Sequence, residues 1–391
     1  MSEKKIPDLF PDTEKDQEVF EGAPGQKIPI SGVLPSQMIK AMINNGEIWS
    51  QGNIEDEQIQ PASLDLRLAD TAYRIRASFL PSGGSVKRKL KDFALHRIDI
   101  SDGAVLETGC VYLVPLMEAL SLPERIIAIS NPKSSTGRID VFTRLICDGS
   151  NEFDRVPNGY KGHLWLEISP RTFPIIVRKG SRLTQMRFRR GRPTSSDTEL
   201  KRLHSTDSIV YKGKVNISEG LALSVDLKGE GIGDIVGWRA KRHAGLIDID
   251  KSNSYEITKF WDPVLAEDEK RIILDPGEFY ILSSSESIAV PPSHAAEMVP
   301  FKPSVGEFRV HYAGFFDPGF GHNSSEGKGS KAVLEVRSWE VPFILEDGQI
   351  IGRLIYEKLL DLPKKFYGSS IGSNYQQQGL RLSKHFGQKS N

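Results

Sequence analysis

The sequence is poor in cysteine and has no long apolar run. Its 391 residues include only Cys110 and Cys147, too few for a disulfide framework or for a structural zinc site built from thiolates. No apolar run approaches the roughly 20 residues of a membrane span. The start "MSEKKIPDLFPDTEKDQEVF" is charged and interrupted by proline, unlike a secretory signal. These absences predict a cytoplasmic protein without a membrane partner.

An excess of charge of one sign is also missing, because 51 Lys and Arg balance 51 Asp and Glu. The balance argues against a general nucleic-acid-binding surface. The eight histidines form no H-E-x-x-H, and no H-x-E is followed by P-C-x-x-C, so zinc-dependent deaminase chemistry has no ligand set. The absence of a G-x-x-x-x-G-K-[ST] loop argues against a P-loop nucleotidase.

The sequence does contain many short apolar alternations bounded by Gly, Pro, Asp or Ser. They include "SLDLRL", "VYLVPL", "HLWLEIS", "FPIIVRKG", "EFYILSS", "AVLEV" and "FILEDGQIIGRLIYE". This pattern predicts a mostly antiparallel β protein. One helix is predicted at "PSQMIKAMINNG" (35–46), where Ser36 could cap the helix and Gly46 could end it.

The strand patterns occur twice. "LETGCVYLVPL" is echoed by "LDPGEFYILSS", "GHLWLEIS" by "SKAVLEVRS", and "PIIVRKGSRLTQMRF" by "PFILEDGQIIGRLIY", each 168 residues later, as 335 is from 167. "ASLDLRL" (62–68) also matches "LSVDLKG" (223–229), at a spacing of 161 (223 − 62). We therefore predict two tandem β domains, 1–205 and 206–391, with the polar stretch 189–208 as their linker.

A polar stretch of the first repeat, "NPKSSTGRID" (131–140), places two cations, Lys133 and Arg138, and two serines, Ser134 and Ser135, within six residues. It is either a solvated polar turn or a phosphate cradle, in which hydroxyls, backbone N–H groups and a guanidinium converge on an anion. The second repeat has Pro303 and Glu307 at the positions of Ser134 and Arg138. If the stretch is an anion site, only the first repeat has kept it.

Each repeat also carries a glutamate on an apolar strand, Glu167 in "LWLEI" and Glu335 in "VLEV". A carboxylate in such surroundings has a raised pKa unless it is paired, which suits a general acid or base. The alternative is an ordinary outer face, on which strand alternation would place Glu335 beside Arg337. Upstream, "HYAGFFDPGFG" (311–321) predicts a β-hairpin around Asp317-Pro318-Gly319.

The order of these motifs resembles that of the dCTP deaminases of the dUTPase-like superfamily. The matching segments are "ASLDLRL", "KSSTGR", "AGFFDPGFG", "VLEV" and the tail "YGSSIGSNYQQQGLRLS", within about residues 55–190 and 215–385. The resemblance implies two tandem dUTPase-like distorted β-barrels, jelly-roll-like, with a few short helices. It also implies a hydrolase of pyrimidine deoxyribonucleotide metabolism that acts on the C–N bond of a cyclic amidine, converting dCTP to dUTP and ammonia.

The resemblance implies roles for single residues. Ser134, Ser135 and Arg138 match the loop that holds phosphates and orders the attacking water, and Lys133 stands where the family usually has arginine. Glu335 and Glu167 both match the general base. The substrate pocket and the closing tail are matched by Ala313, Asp317, Phe320, Tyr375 and Gln378, of which Asp317 would receive the sugar 3′-hydroxyl. We expect the first repeat to supply the phosphate loop, and the second the pocket and tail.

The same resemblance implies no catalytic zinc and a Mg²⁺ ion that arrives on the triphosphate rather than on protein ligands. It implies a homo-oligomer with sites between barrels. Two alternatives stay open. One is a dUTPase or a bifunctional deaminase–diphosphatase, although the chain lacks the P-R-S-G loop and the G-G-F-G-S-T-G tail of a pure dUTPase. The other is a degenerate nucleotide sensor, favoured by the replaced loop of the second repeat.

Overall fold

The computed structural model describes residues 20–21, 27–28, 30–229, 234–300, 308–310, 314–322, 329–338, 340–365 and 379–387. The helices within these ranges are short: α1 Ser36–Asn44, α2 Val86–Phe93, α3 Ser134–Gly137, α4 Asp197–Thr206, α5 Ile257–Phe260 and the 3₁₀-helix Asp56–Gln58. None of these helices is long and apolar enough to cross a membrane.

Strands make up most of the regular structure. Those up to residue 190 are β1 Phe20–Glu21, β2 Lys27–Ile28, β3 Gly32–Val33, β4 Ile48–Ser50, β5 Leu64–Leu66, β6 Thr71–Ile75, β7 Ala94–Asp99, β8 Ala104–Leu106, β9 Val111–Ser121, β10 Ile126–Pro132, β11 Val141–Cys147, β12 Arg155–Val156, β13 Lys161–Pro170, β14 Ile175–Val177 and β15 Thr184–Arg190. The remainder are β16 Val210–Lys212, β17 Leu221–Ser224, β18 Ile235–Ala240, β19 Ile247–Asp248, β20 Tyr255–Glu256, β21 Trp261–Leu265, β22 Arg271–Leu274, β23 Phe279–Ile288, β24 His294–Pro300, β25 Phe308–Val310, β26 Phe315–Phe316, β27 Ser330–Ser338, β28 Phe343–Glu346, β29 Ile350–Lys358 and β30 Phe386–Gly387. The predicted mostly antiparallel β protein is confirmed.

The two repeats build the same sheets. In the first, one sheet runs β12-β10-β15 with β3 and β5, and the other runs β11-β13-β9-β6-β7 with β4. In the second, the counterparts run β26-β24-β29-β17 and β25-β27-β23-β18-β21 with β16. The 168-residue offset also holds for register, because Glu167 lies opposite Leu113 and Glu335 opposite Ile281. The chain therefore contains two tandem β domains of the same topology, which we call the first and the second barrel.

One predicted correspondence is wrong: "ASLDLRL" and "LSVDLKG" do not occupy equivalent positions. In the first barrel Gly180 N–H donates to Leu68 O (2.8 Å), and in the second Gly348 N–H donates to Val225 O (2.9 Å). Leu68 therefore corresponds to Val225, an offset of 157 (225 − 68) rather than 161. The similar letters lie four residues out of register because the connections between strands differ in length.

The predicted helix at 35–46 and the predicted linker at 189–208 both differ in detail from the structure. α1 confirms the helix. However, its N-cap is Pro35 and no side chain caps it, so Ser36 is the first helical residue. The stretch predicted as the linker contains α4, which begins with a capping box formed by Ser196 and Glu199. The polar composition of this stretch therefore reflects an exposed helix as well as a connection.

The turn at Asp317-Pro318-Gly319 is not a hairpin. β26 before it pairs with β24, whereas β27 after it pairs with β23 and β25, so the chain changes sheets here. Gly321 has a φ of 63°, and a Cβ at this position would come 2.2 Å from Ile288 O. Because Gly319 N–H also donates to Val290 O (2.9 Å), the turn is fastened to the chain that leaves β23.

The two barrels meet through buried charged groups. Arg187 of β15 is fully buried and donates to Ala296 O (3.0 Å) and to Glu357 (3.2 Å) of the second barrel. Arg337 of β27 forms a salt bridge with Asp140 of the first barrel. This interface places the 131–140 stretch of one barrel beside β27 of the other.

Candidate active site

The 131–140 stretch joins β10 to β11 through the single helical turn α3. Lys133 O accepts two backbone N–H groups of this turn, at 2.8 and 3.0 Å. Ser135 and Arg138 are only 7% and 4% exposed, and Lys133 and Ser134 are half-buried. The interpretation as a solvated polar turn is therefore wrong for Ser135 and Arg138. Polar groups held this deep need fixed partners.

Part of that support comes from residues 379–387. Arg138 Nη1 donates to Arg381 O (3.0 Å), and the Ser383 hydroxyl donates to Ser135 O (2.8 Å). These bonds fix one backbone position and one guanidinium of the loop. Sequence reasoning assigned no role to Arg381 or Ser383, since backbone acceptors and a single serine leave no pattern in a sequence.

Lys133 is paired with Asp65, a buried carboxylate on β5. Asp65 belongs to the "ASLDLRL" motif, but sequence reasoning gave it no role. The available signal was a carboxylate on an otherwise apolar strand, the same signal that singled out Glu335. Because Asp65 balances the Lys133 charge, the loop presents less net positive charge than its composition suggests.

Asp317 lies in the turn after β26 and is buried. Burial raises the pKa of its carboxyl to about 6, and the charge of Arg187 opposes that rise. The nearest Arg187 nitrogen is 3.8 Å from Asp317 Oδ1. Lys133 and Asp65 of the first barrel also act on this carboxyl, so Asp317 lies within electrostatic range of the anion loop. Sequence reasoning missed Arg187, although strand alternation places it on a polar face of β15.

Glu335 is 6% exposed on β27. Burial raises the pKa of its carboxyl to about 8; Arg138 of the first barrel opposes this rise and Asp140 adds to it. The alternative of a solvent-facing residue paired with Arg337 is wrong, because Arg337 pairs with Asp140 and donates to Thr172 (2.9 Å). The face of the strand that alternation marks as outer is covered by the other barrel.

Glu167 has different surroundings. Arg144 donates to its Oε1 from Nε (2.9 Å) and from Nη2 (2.6 Å), and the Arg144 guanidinium lies 3.8 Å from the centre of the Phe153 ring. Arg144 lies directly opposite Glu167 in the register of β11 and β13. The carboxyl of Glu167 is therefore paired with a cation of its own barrel.

A helix also covers the Glu167 face of the sheet. Leu113 lies opposite Glu167, and both pack on the side where Val86 and Leu90 of α2 join Leu113 and Trp165 in one apolar cluster. In the second repeat the corresponding position, Ile281, instead belongs to the cluster that includes Leu382 and Phe386 of the 379–387 segment. The first face is closed by its own barrel, and the second by the other barrel and this segment.

The remaining predicted residues are placed as follows. Phe320 is buried in the core of the second barrel, edge-on to Phe316 at 5.0 Å between ring centres, so it packs beneath the Asp317 turn. Ala313, Tyr375 and Gln378 lie outside the described residues. Thus Lys133, Ser135, Arg138, Asp317 and Glu335 come together at one interface, whereas Glu167 lies apart from them. Across the described ranges, no group of three or more His, Cys, Asp and Glu side chains could hold a metal ion.

The raised pKa of Glu335 makes a prediction about stability. Between its ordinary value of 4.5 and the folded value of about 8, the folded chain holds a proton that the unfolded chain has lost, so the contribution of Glu335 to stability falls as the pH rises. Glu335→Gln removes this fall. We expect the variant to gain a few degrees in Tm relative to wild type between about pH 5 and pH 9, measured by thermal unfolding. A Tm difference that does not change with pH would contradict the assignment.

Comparisons with known proteins point to one family. The family models of the 2′-deoxycytidine 5′-triphosphate deaminase N-terminal and C-terminal domains match residues 30–192 and 196–386. A protein of Beutenbergia cavernae named dCTP deaminase, dUMP-forming, is 34% identical over 184 residues, 46% of this chain and 90% of that protein. A dCTP deaminase of Halorubrum lacusprofundi is 27% identical over 136 residues, 34% of this chain and 64% of that protein.

A solved structure gives a stronger match. The crystal structure of 2′-deoxycytidine 5′-triphosphate deaminase from Agrobacterium tumefaciens is 55% identical, with a TM-score of 0.81, covering 86% of this chain and 100% of that one. Two findings decide which family the chain belongs to. Both family domains occur in order in one chain, and the solved structure is similar over most of its length. The chain belongs to the 2′-deoxycytidine 5′-triphosphate deaminase family.

Proposed function

We propose that this chain deaminates dCTP hydrolytically to dUTP and ammonia, with Glu335 moving protons and without a catalytic zinc ion. The observation that carries the proposal is the meeting of Glu335, a buried carboxyl of the second barrel whose pKa is raised to about 8, with Arg138 of the first barrel's anion loop. A carboxyl whose pKa lies near neutral pH can both accept and return a proton during one turnover.

The substrate would be held by both barrels. Four side chains of the anion loop are suited to bind the triphosphate: the hydroxyls of Ser134 and Ser135, and the cations of Lys133 and Arg138. Hydroxyls donate hydrogen bonds to phosphate oxygens, and cations balance their negative charge. Asp317 would accept a hydrogen bond from the sugar 3′-hydroxyl. The Mg²⁺ ion would enter as part of the substrate, bound to phosphate oxygens. Phe320, in the core beneath the turn, would hold Asp317 in place.

The proposed chemistry has two proton transfers through one carboxyl. Glu335 takes a proton from a water molecule, the hydroxide forms a bond to C4 of cytosine, and the proton passes to N3, which gives a neutral tetrahedral intermediate. Glu335 then takes the proton of the new C4 hydroxyl and delivers it to the amino group. The C4–N bond breaks, ammonia leaves, and the C4 carbonyl of uracil forms. Arg138 and Ser134 would hold the water, and fixed donors of this kind lower the barrier without rearranging.

Glu167 would have a structural role. Its Oε1 is occupied by Arg144, and α2 closes the face of the sheet on which it lies. We therefore propose one working set of residues per chain, built from the loop of the first barrel and the carboxyl of the second. The asymmetry agrees with the sequence, because the second repeat has Pro303 and Glu307 in its own loop.

A second activity has one observation in its favour. The Beutenbergia cavernae relative is named as dUMP-forming, so a further hydrolysis of dUTP to dUMP and pyrophosphate is the alternative product route. The first test of function is ammonia release from dCTP with Mg²⁺, with the nucleotide product identified by chromatography. If dUTP forms in step with ammonia, the chain is a deaminase. If dUMP forms, the chain also catalyses the second hydrolysis. If dCTP binds and no ammonia is released, the chain is a nucleotide sensor.

We also propose a cytoplasmic homo-oligomer. Cys110 and Cys147 are both free thiols, as expected in a reducing compartment. Ile273 and Ile344 lie opposite each other on β22 and β28 and are 58% and 53% exposed. Neighbouring exposed apolar side chains of this kind are suited to contact with another copy of the chain.

A further inference from the structure

The connection between β18 and β21 (241–260) has a different structure from its counterpart in the first repeat. The counterpart, between β6 and β7, carries α2, which covers its own barrel. The connection 241–260 instead carries β19, which pairs with β14 of the first barrel, and β20, which pairs with β30 in the 379–387 segment. It therefore joins the first barrel to this segment.

The connection holds the segment by backbone and side-chain bonds. Asn253 N–H donates to Lys384 O (2.9 Å) and Ser254 N–H donates to His385 O (2.9 Å). His385 Nδ1 lies 2.8 Å from Lys251 O. Burial lowers the pKa of His385 to about 4, so at neutral pH the ring is neutral and carries its proton on Nδ1, where the carbonyl can accept it.

An aromatic cluster completes the anchor. The Phe386 ring lies edge-on to Tyr255 (6.3 Å), Phe260 (5.4 Å) and Trp261 (5.8 Å) between ring centres. Phe260 and Trp261 in turn contact Phe173 of the first barrel. Edge-to-face contacts of this kind set both distance and angle, so the segment has a defined position relative to both barrels.

The anchored segment in turn holds the anion loop, through the Ser383–Ser135 and Arg381–Arg138 hydrogen bonds described above. Given the proposed deaminase function, we infer that Ser383 is a positioning residue: it fixes the loop so that the Arg138 guanidinium stays beside Glu335, with the 241–260 connection as its anchor. The loss of the Ser383–Ser135 hydrogen bond should therefore be measurable at the Glu335 carboxyl.

Within the described ranges, two charged groups act on the Glu335 carboxyl. Arg138 lowers its pKa, and Asp140 raises it. Asp140 is paired with Arg337 of the Glu335 strand, so its position does not depend on the segment. If Arg138 moves away, the carboxylate loses stabilisation and the pKa of Glu335 rises.

The test is Ser383→Ala in the full chain, with Ser338→Ala as the matched control. Ser338 is also buried and donates to a backbone carbonyl, Val341 O (2.7 Å), but it does not contact the loop. We expect Ser383→Ala to lower kcat at pH 7 by about tenfold, and to move the acidic limb of the kcat/KM profile to higher pH. Phe386→Leu, which loosens the anchor, should shift the limb in the same direction.

A readout without turnover separates this inference from the proposed function. The pKa of the Glu335 carboxyl can be measured by ¹³C NMR, with its signal identified by its loss in Glu335→Gln. If the pKa of Glu335 rises in Ser383→Ala but not in Ser338→Ala, the positioning role is supported, even if the wild-type chain releases no ammonia. An unchanged pKa in Ser383→Ala, or equal changes in both serine variants, would overturn it.

Discussion

Glu335→Gln is expected to lower kcat for dCTP deamination by a factor of about 10³, in the range lost when a general acid–base group is removed. Glutamine keeps the size and one hydrogen-bond acceptor of the side chain but cannot take a proton from water. Binding of dCTP should change little, because the proposed phosphate contacts lie on the first barrel. Steady-state kinetics of ammonia release, together with calorimetric binding of dCTP, separates the two effects.

Glu167→Gln is the matched control, since the residue occupies the same strand position of the other repeat. We expect it to keep most of its activity and to lose stability instead. The change leaves the Arg144 guanidinium without its carboxylate, at a cost of about 1–3 kcal/mol for a partly buried donor that loses its partner. Equal residual activity of the two glutamate variants would contradict the proposed asymmetry between the barrels.

Arg138→Gln is expected to lower kcat/KM by about 10²–10³-fold, the loss found when one fixed donor for a developing or bound negative charge is removed. The variant loses the positive charge that is proposed to bind the triphosphate, and it loses the hydrogen bond that Arg138 donates to Arg381 O. The pKa of Glu335 should also rise, because Arg138 opposes the effect of burial on that carboxyl. The acidic limb of the kcat/KM profile should therefore move to higher pH.

Arg144→Gln is the control for this prediction, because Arg144 is the arginine beside the glutamate of the first repeat. We expect it to reduce the melting temperature and to leave the pH profile of turnover in place. A wild-type KM and pH profile in Arg138→Gln would show that the loop does not act on substrate or on Glu335.

The repeat made much of the fold predictable. Matching letters at one offset predicted the paired strands, and register confirms it at Glu167 and Glu335. The comparison of letters was misleading for "LSVDLKG", because this segment lies four residues away from the structural counterpart of "ASLDLRL". Periodicity also predicted which residues share a face with Glu335, but it could not show that another barrel covers that face.

The site was less predictable because its parts are distant in sequence. Arg187 is fully buried only because the second barrel lies on β15, and alternation alone marks it as a surface residue. Ser383 and Arg381 support the loop from 248 and 243 residues away. In both bonds the acceptor is a backbone carbonyl, which leaves no signal in the sequence. The pairing of Arg144 with Glu167 follows from strand register, which becomes certain only once the sheet is known.

One chain is proposed to supply both halves of the site, Arg138 from its first barrel and Glu335 from its second. The most direct test is co-expression of Arg138→Gln and Glu335→Gln chains with different affinity tags, followed by an assay of ammonia release from preparations that retain both tags. A chain carrying both substitutions sets the background, and wild type co-expressed with Glu335→Gln sets the positive control. If each site forms within one chain, the mixed preparation will show no more activity than the sum of the two single variants. Recovery of a substantial fraction of the wild-type rate would show that the site forms between chains, and would contradict it.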